Sequence, residues 1–95
     1  MPNVNVLAGK YRPLGYQQIT DVSSAVGLTV PDGARLAIIQ PQTVSIRWRD
    51  DGTNPTTTVG MVLAAGADFA YSGNLDAIKL IETAATSIVN VSYFA

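Results

Sequence analysis

The chain contains neither cysteine nor histidine. Without cysteine, no disulfide and no zinc–thiolate centre can form, and cysteine usage says nothing about redox compartment. Without histidine, the commonest general base and the commonest transition-metal ligand are missing. Charge is also scarce. Asp, Glu, Lys and Arg make up 14% of the residues, against a usual ~25%. The six basic residues are scattered and the formal net charge is −1, so neither a basic patch that tracks phosphates nor a nucleic-acid partner is expected. Long apolar runs are lacking too. The longest stretch that is both uncharged and apolar, 59–67, falls far short of the roughly 20 residues a membrane helix needs and contains Gly60 and Gly66, so no membrane partner is expected. Residues 1–9 have no charged start and no long apolar run, so no signal peptide is expected.

What remains is a 95-residue chain that is 47% hydrophobic. One domain is expected. A chain of this length buries only about 60–65% of its unfolded surface, so the core is small, and oligomerisation is a common remedy. Thr, Ser, Asn, Gln, Gly and Ala fill the place of the missing charges. A surface of that kind has two readings: it meets other protein, or it is the neutral Thr- and Ser-rich surface of a β protein.

Residues 44–58, VSIRWRDDGTNPTTT, organise the rest. Val44, Ile46 and Trp48 alternate with Ser45, Arg47 and Arg49, the period of a strand with one buried and one wet face. Asp50, Asp51 and Gly52 stop it, and Asn54-Pro55 marks a turn. Trp48 is the single tryptophan and is expected in the core. Similar short segments are expected as strands at 16–20, 25–30, 34–40, 59–63, 68–72, 77–83 and 88–94. Within them Val26, Leu28 and Val30 share a face, as do Phe69 and Tyr71, Ile78 and Leu80, and Val89, Val91 and Tyr93. In 34–40, Leu36 and Ile38 are expected inward, with Ile39 on the other side and burial on both faces compatible with a sandwich. Pro41 is expected to break that strand. Residues 75–82 also read as one or two helical turns, but their alternation and the β-branched Ile78 and Ile81 favour strand. Turn signals such as Pro31-Asp32-Gly33 recur about every 8–12 residues, which predicts an all-β fold, a small antiparallel β-sandwich or jelly-roll-like barrel of seven or eight strands.

Residues 1–15 have no clean period. They read either as a loose terminus or as an extended N-terminal arm lying on a neighbouring subunit, with Val4, Val6, Leu7, Tyr11 and Leu14 as its contacts. The single sandwich domain would then span 16–95.

Chemistry-bearing motifs are sparse. Lys10 and Lys79, the only lysines, sit in no Ser-x-x-Lys frame. Asp50 and Asp51 form the only close carboxylate pair, and adjacent strand residues point to opposite faces, so they are not placed for joint acid–base work. Asp50, Asp51, Gly52 and Asn54 fail the EF-hand order because glycine occupies a ligand slot; they read as turn formers. The glycines make no phosphate-binding loop. No enzyme activity, cofactor or metal is expected. Arg47 and Arg49 flank Trp48 on the opposite face. They read either as solvated arginines paired with Asp50, Asp51 or Glu82, or, with Asp50, Asp51 and Asn54, as a protein contact surface. Asp68, Tyr71 and Asp76 form a nonspecific candidate sugar patch.

Residues 35–95 carry a resemblance. Ile39-Gln40-Pro41-Gln42 precedes Ser45-Ile46-Arg47-Trp48-Arg49-Asp50-Asp51-Gly52-Thr53-Asn54-Pro55-Thr56. Val59-Gly60-Met61, Leu63-Ala64-Ala65-Gly66, Tyr71-Ser72-Gly73-Asn74-Leu75-Asp76-Ala77-Ile78 and Val89-Asn90-Val91-Ser92-Tyr93 follow in order. This run resembles small virion proteins of tailed bacteriophages. The likeness is a pattern of strands and turns and transfers no functional residue. It implies a compact β-sandwich and a structural role in the virion. The first such role is a capsid decoration, or cement, protein that is made in the host cytoplasm, binds the major capsid protein on the outside of the head, and self-associates, with a trimer favoured. The alternatives are a receptor- or carbohydrate-binding module of a tail or head fibre, for which Trp48, Tyr71 or Tyr93 would have to be exposed, and a tail-completion or baseplate subunit.

Overall fold

The computed structural model describes residues 11–95. Eight strands run in order: β1 (Pro13–Ile19), β2 (Val26–Gly27), β3 (Leu36–Pro41), β4 (Ile46–Arg49), β5 (Met61–Leu63), β6 (Phe69–Tyr71), β7 (Lys79–Glu82) and β8 (Val89–Phe94). They form two four-stranded antiparallel sheets, β1-β8-β3-β6 and β2-β7-β4-β5. The two sheets pack face to face as a small β-sandwich, and no helix occurs among the described residues.

Alternation in β8 explains the centre of the core. Val89 and Val91 are fully buried and Tyr93 nearly so, while Asn90 and Ser92 point outward. On the facing sheet, Ile46 of β4 and Leu80 of β7 are fully buried, and Ile78 joins them just before β7. A two-residue period therefore becomes one continuous apolar layer between two sheets.

Three expectations need correction. In β3 the residues that line the layer between the sheets are Ala37, Ile39 and Pro41; Leu36 is buried at 3% exposed but lies outside the main core cluster, and Ile38 is only half-buried. Ala37, Ile39 and Pro41 lie opposite Tyr93, Val91 and Val89, and cross-strand partners share a face. The run Leu-Ala-Ile-Ile has no period of its own, so its phase is set by β8. Ile38 consequently faces out and is half-buried. Second, Pro41 does not break the strand; it is its last residue. Its carbonyl accepts from the Gly66 amide at 2.7 Å, on the side where a strand residue's own N–H would also point, and β6 pairs no further than Ile39. The missing donor thus falls where no ladder continues. Third, the expected strand 25–30 keeps only the Val26–Gly27 pairing to β7, although Val26, Leu28 and Val30 all pack on the core.

At the other end of the chain, β1 starts before residue 16. Arg12 and Ala95 exchange two backbone hydrogen bonds at 2.8 and 2.9 Å, and the ladder shifts register between Pro13 and Gly15. This bulge switches parity, so Leu14 turns toward the core while Tyr16 and Gln18 face solvent. Tyr11 and Leu14 are therefore held by the sandwich itself. Val4, Val6 and Leu7 lie outside the described residues. Of the two readings of 75–82, residues 75–77 form a turn and Lys79–Glu82 is strand.

Candidate functional site

Trp48 sits at the end of the sandwich where β4 and β5 meet β6. Its ring stacks on Phe69, with centroids 4.9 Å apart and planes 23° apart, and meets Tyr71 edge-on at 5.9 Å. Aromatic pairs in such geometries add about 0.5–1.5 kcal/mol beyond area burial. Trp48 is half-buried, not enclosed as expected. The reason is its ladder partner. Trp48 lies opposite Met61, both point inward, and β5 is the outer strand of its sheet with no strand beyond it. The core stays open there, and Met61 is 60% exposed.

The neighbours of Trp48 are fixed from both sides. The Tyr71 hydroxyl donates to Asp50 Oδ2 at 2.7 Å. Burial, and then the adjacent Asp50 carboxylate, push the Tyr71 phenol up to about 12. Arg49 forms a fork with Asp51, with Nε to Oδ1 at 3.0 Å and Nη2 to Oδ2 as the second bond. That pairing lowers the Asp51 carboxyl and raises the Arg49 guanidinium. Asp50 and Asp51 thus diverge toward different partners and do not share a ligand.

Arg47 holds the loop that leads into β5. Its Nε donates to the Thr57 carbonyl at 3.2 Å and its Nη1 to the Gly60 carbonyl at 2.8 Å. Thr56 closes the same loop: its amide donates to the Val59 carbonyl at 2.9 Å, and its Oγ1 accepts from the Val59 amide at 3.0 Å. Gly60 adopts φ 140 with Arg47 Cβ and Pro55 Cβ at 3.1 and 3.2 Å from where a methyl would stand, so only glycine fits without strain. This framework pushes Val59 outward at 51% exposed. Val62, on the opposite face of β5 from Met61, is 58% exposed.

Together Trp48, Arg49, Asp50, Asp51, Val59, Gly60 and Met61 line an open cleft of about 500 Å³. Its floor is apolar and its charged groups are already engaged with Tyr71 and with each other. Such a surface suits an apolar protein partner better than a hydrophilic small molecule.

Of the residues expected to make contacts, Arg49, Asp50 and Asp51 border this cleft, and Arg47 braces it from behind. Asn54 is exposed in the adjoining loop. Tyr11 and Leu14 belong to the opposite edge of the molecule. There β1 lies against the segment after β2 through the Gln17–Thr29 hydrogen bonds, and the Arg35 guanidinium lies 5.3 Å from the Tyr11 ring centroid. Asp68, Tyr71 and Asp76 do not form a sugar patch: Tyr71 is buried and turned to Asp50, and Asp76 is held in a turn where its amide donates to Asn74. Val59, Met61 and Val62 were not expected as contacts. The available signal was an apolar strand of three residues, too short to hide both faces at a sheet edge.

Comparisons with protein-family models, curated proteins and solved structures find no match to this chain.

Proposed function

We propose that the chain is a non-enzymatic structural protein of a bacteriophage virion, a capsid decoration protein that docks on the assembled head through the β5 edge. The virion setting rests on the resemblance of residues 35–95 to small phage structural proteins. The docking surface rests on one observation: Met61 and Val62 present apolar side chains on the two faces of an edge strand, with Val59 exposed in the loop before it and a half-buried tryptophan alongside. Exposed apolar side chains on an open edge are a liability unless a partner covers them. Tryptophan and arginine are also the residues most enriched at interface hot spots.

The mechanism is linkage. A protein that binds the assembled shell, and not its separated subunits, stabilises the shell by RT ln(1 + [L]/Kd) at each site. Self-association into a trimer would match the local threefold positions of a capsid and present the β5 edge three times. Cosedimentation with empty heads that lack the protein tests this reading. Saturable binding at a fixed ratio to the capsid protein supports it. Absence of binding, with retention on host cells instead, would replace it with the fibre-module alternative.

A further inference from the structure

The outer face of the β1-β8-β3-β6 sheet is built differently from the β5 edge. Gln18, Asn90 and Gln40 lie directly opposite one another across β1, β8 and β3, and Tyr16, Ser92, Ile38 and Ala70 form the next row across all four strands. From Tyr16 through the first row to Asp68 the hydrogen bonds run in one direction. The Tyr16 hydroxyl donates to Asn90 Oδ1 at 2.6 Å, Asn90 Nδ2 donates to Gln40 Oε1 at 3.3 Å, and Gln40 Nε2 donates to Asp68 Oδ1 at 2.9 Å. Gln18 and Gln42 complete Asn90, the first donating to its Oδ1 at 3.1 Å and the second accepting from its Nδ2 at 3.3 Å. All four hydrogen-bonding positions of the Asn90 amide are filled, so it is locked. The chain of bonds ends on a carboxylate, and aligned hydrogen bonds polarise one another.

This locking leaves the unused capacity in fixed places. Gln40 keeps one N–H, Asp68 keeps its second oxygen, and the Tyr16 oxygen keeps its lone pairs. Between them is a shallow depression of about 150 Å³ lined by Tyr16, Ile38, Gln40, Asp68, Asn90 and Ser92. Tyr16, 64% exposed, is the most exposed of the large hydrophobic side chains among the described residues. The depression therefore combines an open aromatic ring, an apolar floor at Ile38 and a rim of oriented amide, hydroxyl and carboxylate groups.

We propose that this depression is a binding site for a neutral saccharide. A pyranose has an apolar C–H face and hydroxyls that both donate and accept. The face matches Tyr16 and Ile38, and the hydroxyls match the amide and carboxylate rim. Pre-set polar groups reduce the ordering lost on binding. Charge decides against other ligands. Asp68 is the one charged side chain lining the depression, and a lone carboxylate repels phosphate, nucleic acid and sialylated or sulfated glycans. The site lies in the other sheet from β5, so it stands or falls independently of the docking edge.

The test is a glycan array with the full-length protein, followed by amide NMR titration with the neutral glycans retained. Neutral glycans should bind, with saturable shifts at the Gln40 and Asn90 side-chain amides and at Ser92. Tyr16→Ala should weaken binding at least tenfold while the spectrum stays dispersed, and Asp68→Asn should weaken it without unfolding. No binding across the array, binding only of anionic glycans, shifts centred on Trp48, or full affinity in Tyr16→Ala would each overturn the assignment.

Discussion

The Tyr71 hydroxyl reaches Asp50 Oδ2 at 2.7 Å and so ties β6 of one sheet to the turn that leaves β4 in the other. The bond fixes the ring that Trp48 meets edge-on. It also makes Tyr71 a sensor of alkaline pH. Its phenol is raised to about 12, by burial first and Asp50 second. Tyr93 is raised to about 12 by burial. A raised folded-state value means that the stabilisation is complete below the unfolded tyrosine value near 10 and is lost as pH climbs toward 12. Melting temperature should hold up to about pH 10 and then fall steeply, on the ordinary tyrosine value of ~10. A flat profile through that window would show that both phenols ionise as freely folded as unfolded.

Tyr71→Phe removes the same bond. A hydrogen bond to a charged group is worth about 1.5–3 kcal/mol, and solvent access to Asp50 reduces that, so a loss of about 1–2 kcal/mol is expected. Urea denaturation measures it. The variant should also lose part of the alkaline transition, leaving the share that Tyr93 contributes.

Gly60 makes a sharper stability prediction. With φ 140 and three neighbouring atoms at 3.1–3.2 Å from where a Cβ would stand, Gly60→Ala must strain the backbone and displace Arg47, Pro55 or the Trp48 carbonyl. The expected loss is about 1–3 kcal/mol. Gly33→Ala offers a contrast: its φ is also positive, at 83, but nothing stands within 4 Å, so its loss should be the smaller of the two.

Fluorescence checks the open end of the core. Because Trp48 is half-buried and shielded on one face by Phe69, acrylamide should quench it only in part. Phe69→Ala should shift the emission to the red and raise quenching toward that of the unfolded chain. Emission of a fully enclosed indole, unmoved by Phe69→Ala, would contradict the open cleft.

Much of this fold was legible in residues that alternate cleanly. Val89, Val91 and Tyr93 against Asn90 and Ser92 settle β8, and Ile46 and Trp48 against Arg47 and Arg49 settle β4. Turn chemistry was equally direct: Pro31-Asp32-Gly33 closes with the Ala34 amide donating to the Pro31 carbonyl at 3.1 Å. What failed was whatever depends on a neighbour far away in the chain. The phase of β3 is dictated by β8, roughly fifty residues later. The half-exposure of Trp48 follows from β5 being an edge, which local periodicity does not encode. The same holds for the candidate sites. Arg49, Asp50 and Asp51 announced themselves by type, but the exposure of Met61 and Val62 and the row from Tyr16 to Asp68 arise only when strand order is set.

The proposed docking edge is tested by substitution. Met61→Asp and Val62→Asp place a charge on side chains that are already 60% and 58% exposed. Because Met61 borders Trp48 and Asp is a poor strand former, folding stability should fall by about 1–2 kcal/mol, leaving the variant folded while the apolar contact surface is destroyed.

The most direct measurement is therefore cosedimentation of the wild-type protein and of the Met61→Asp/Val62→Asp double variant with empty phage heads lacking this protein. The wild type should bind saturably and at a fixed stoichiometry, and the double variant should lose binding while remaining folded. Wild-type protein that stays in the supernatant, or a double variant that binds as tightly as the wild type, would contradict docking through the β5 edge.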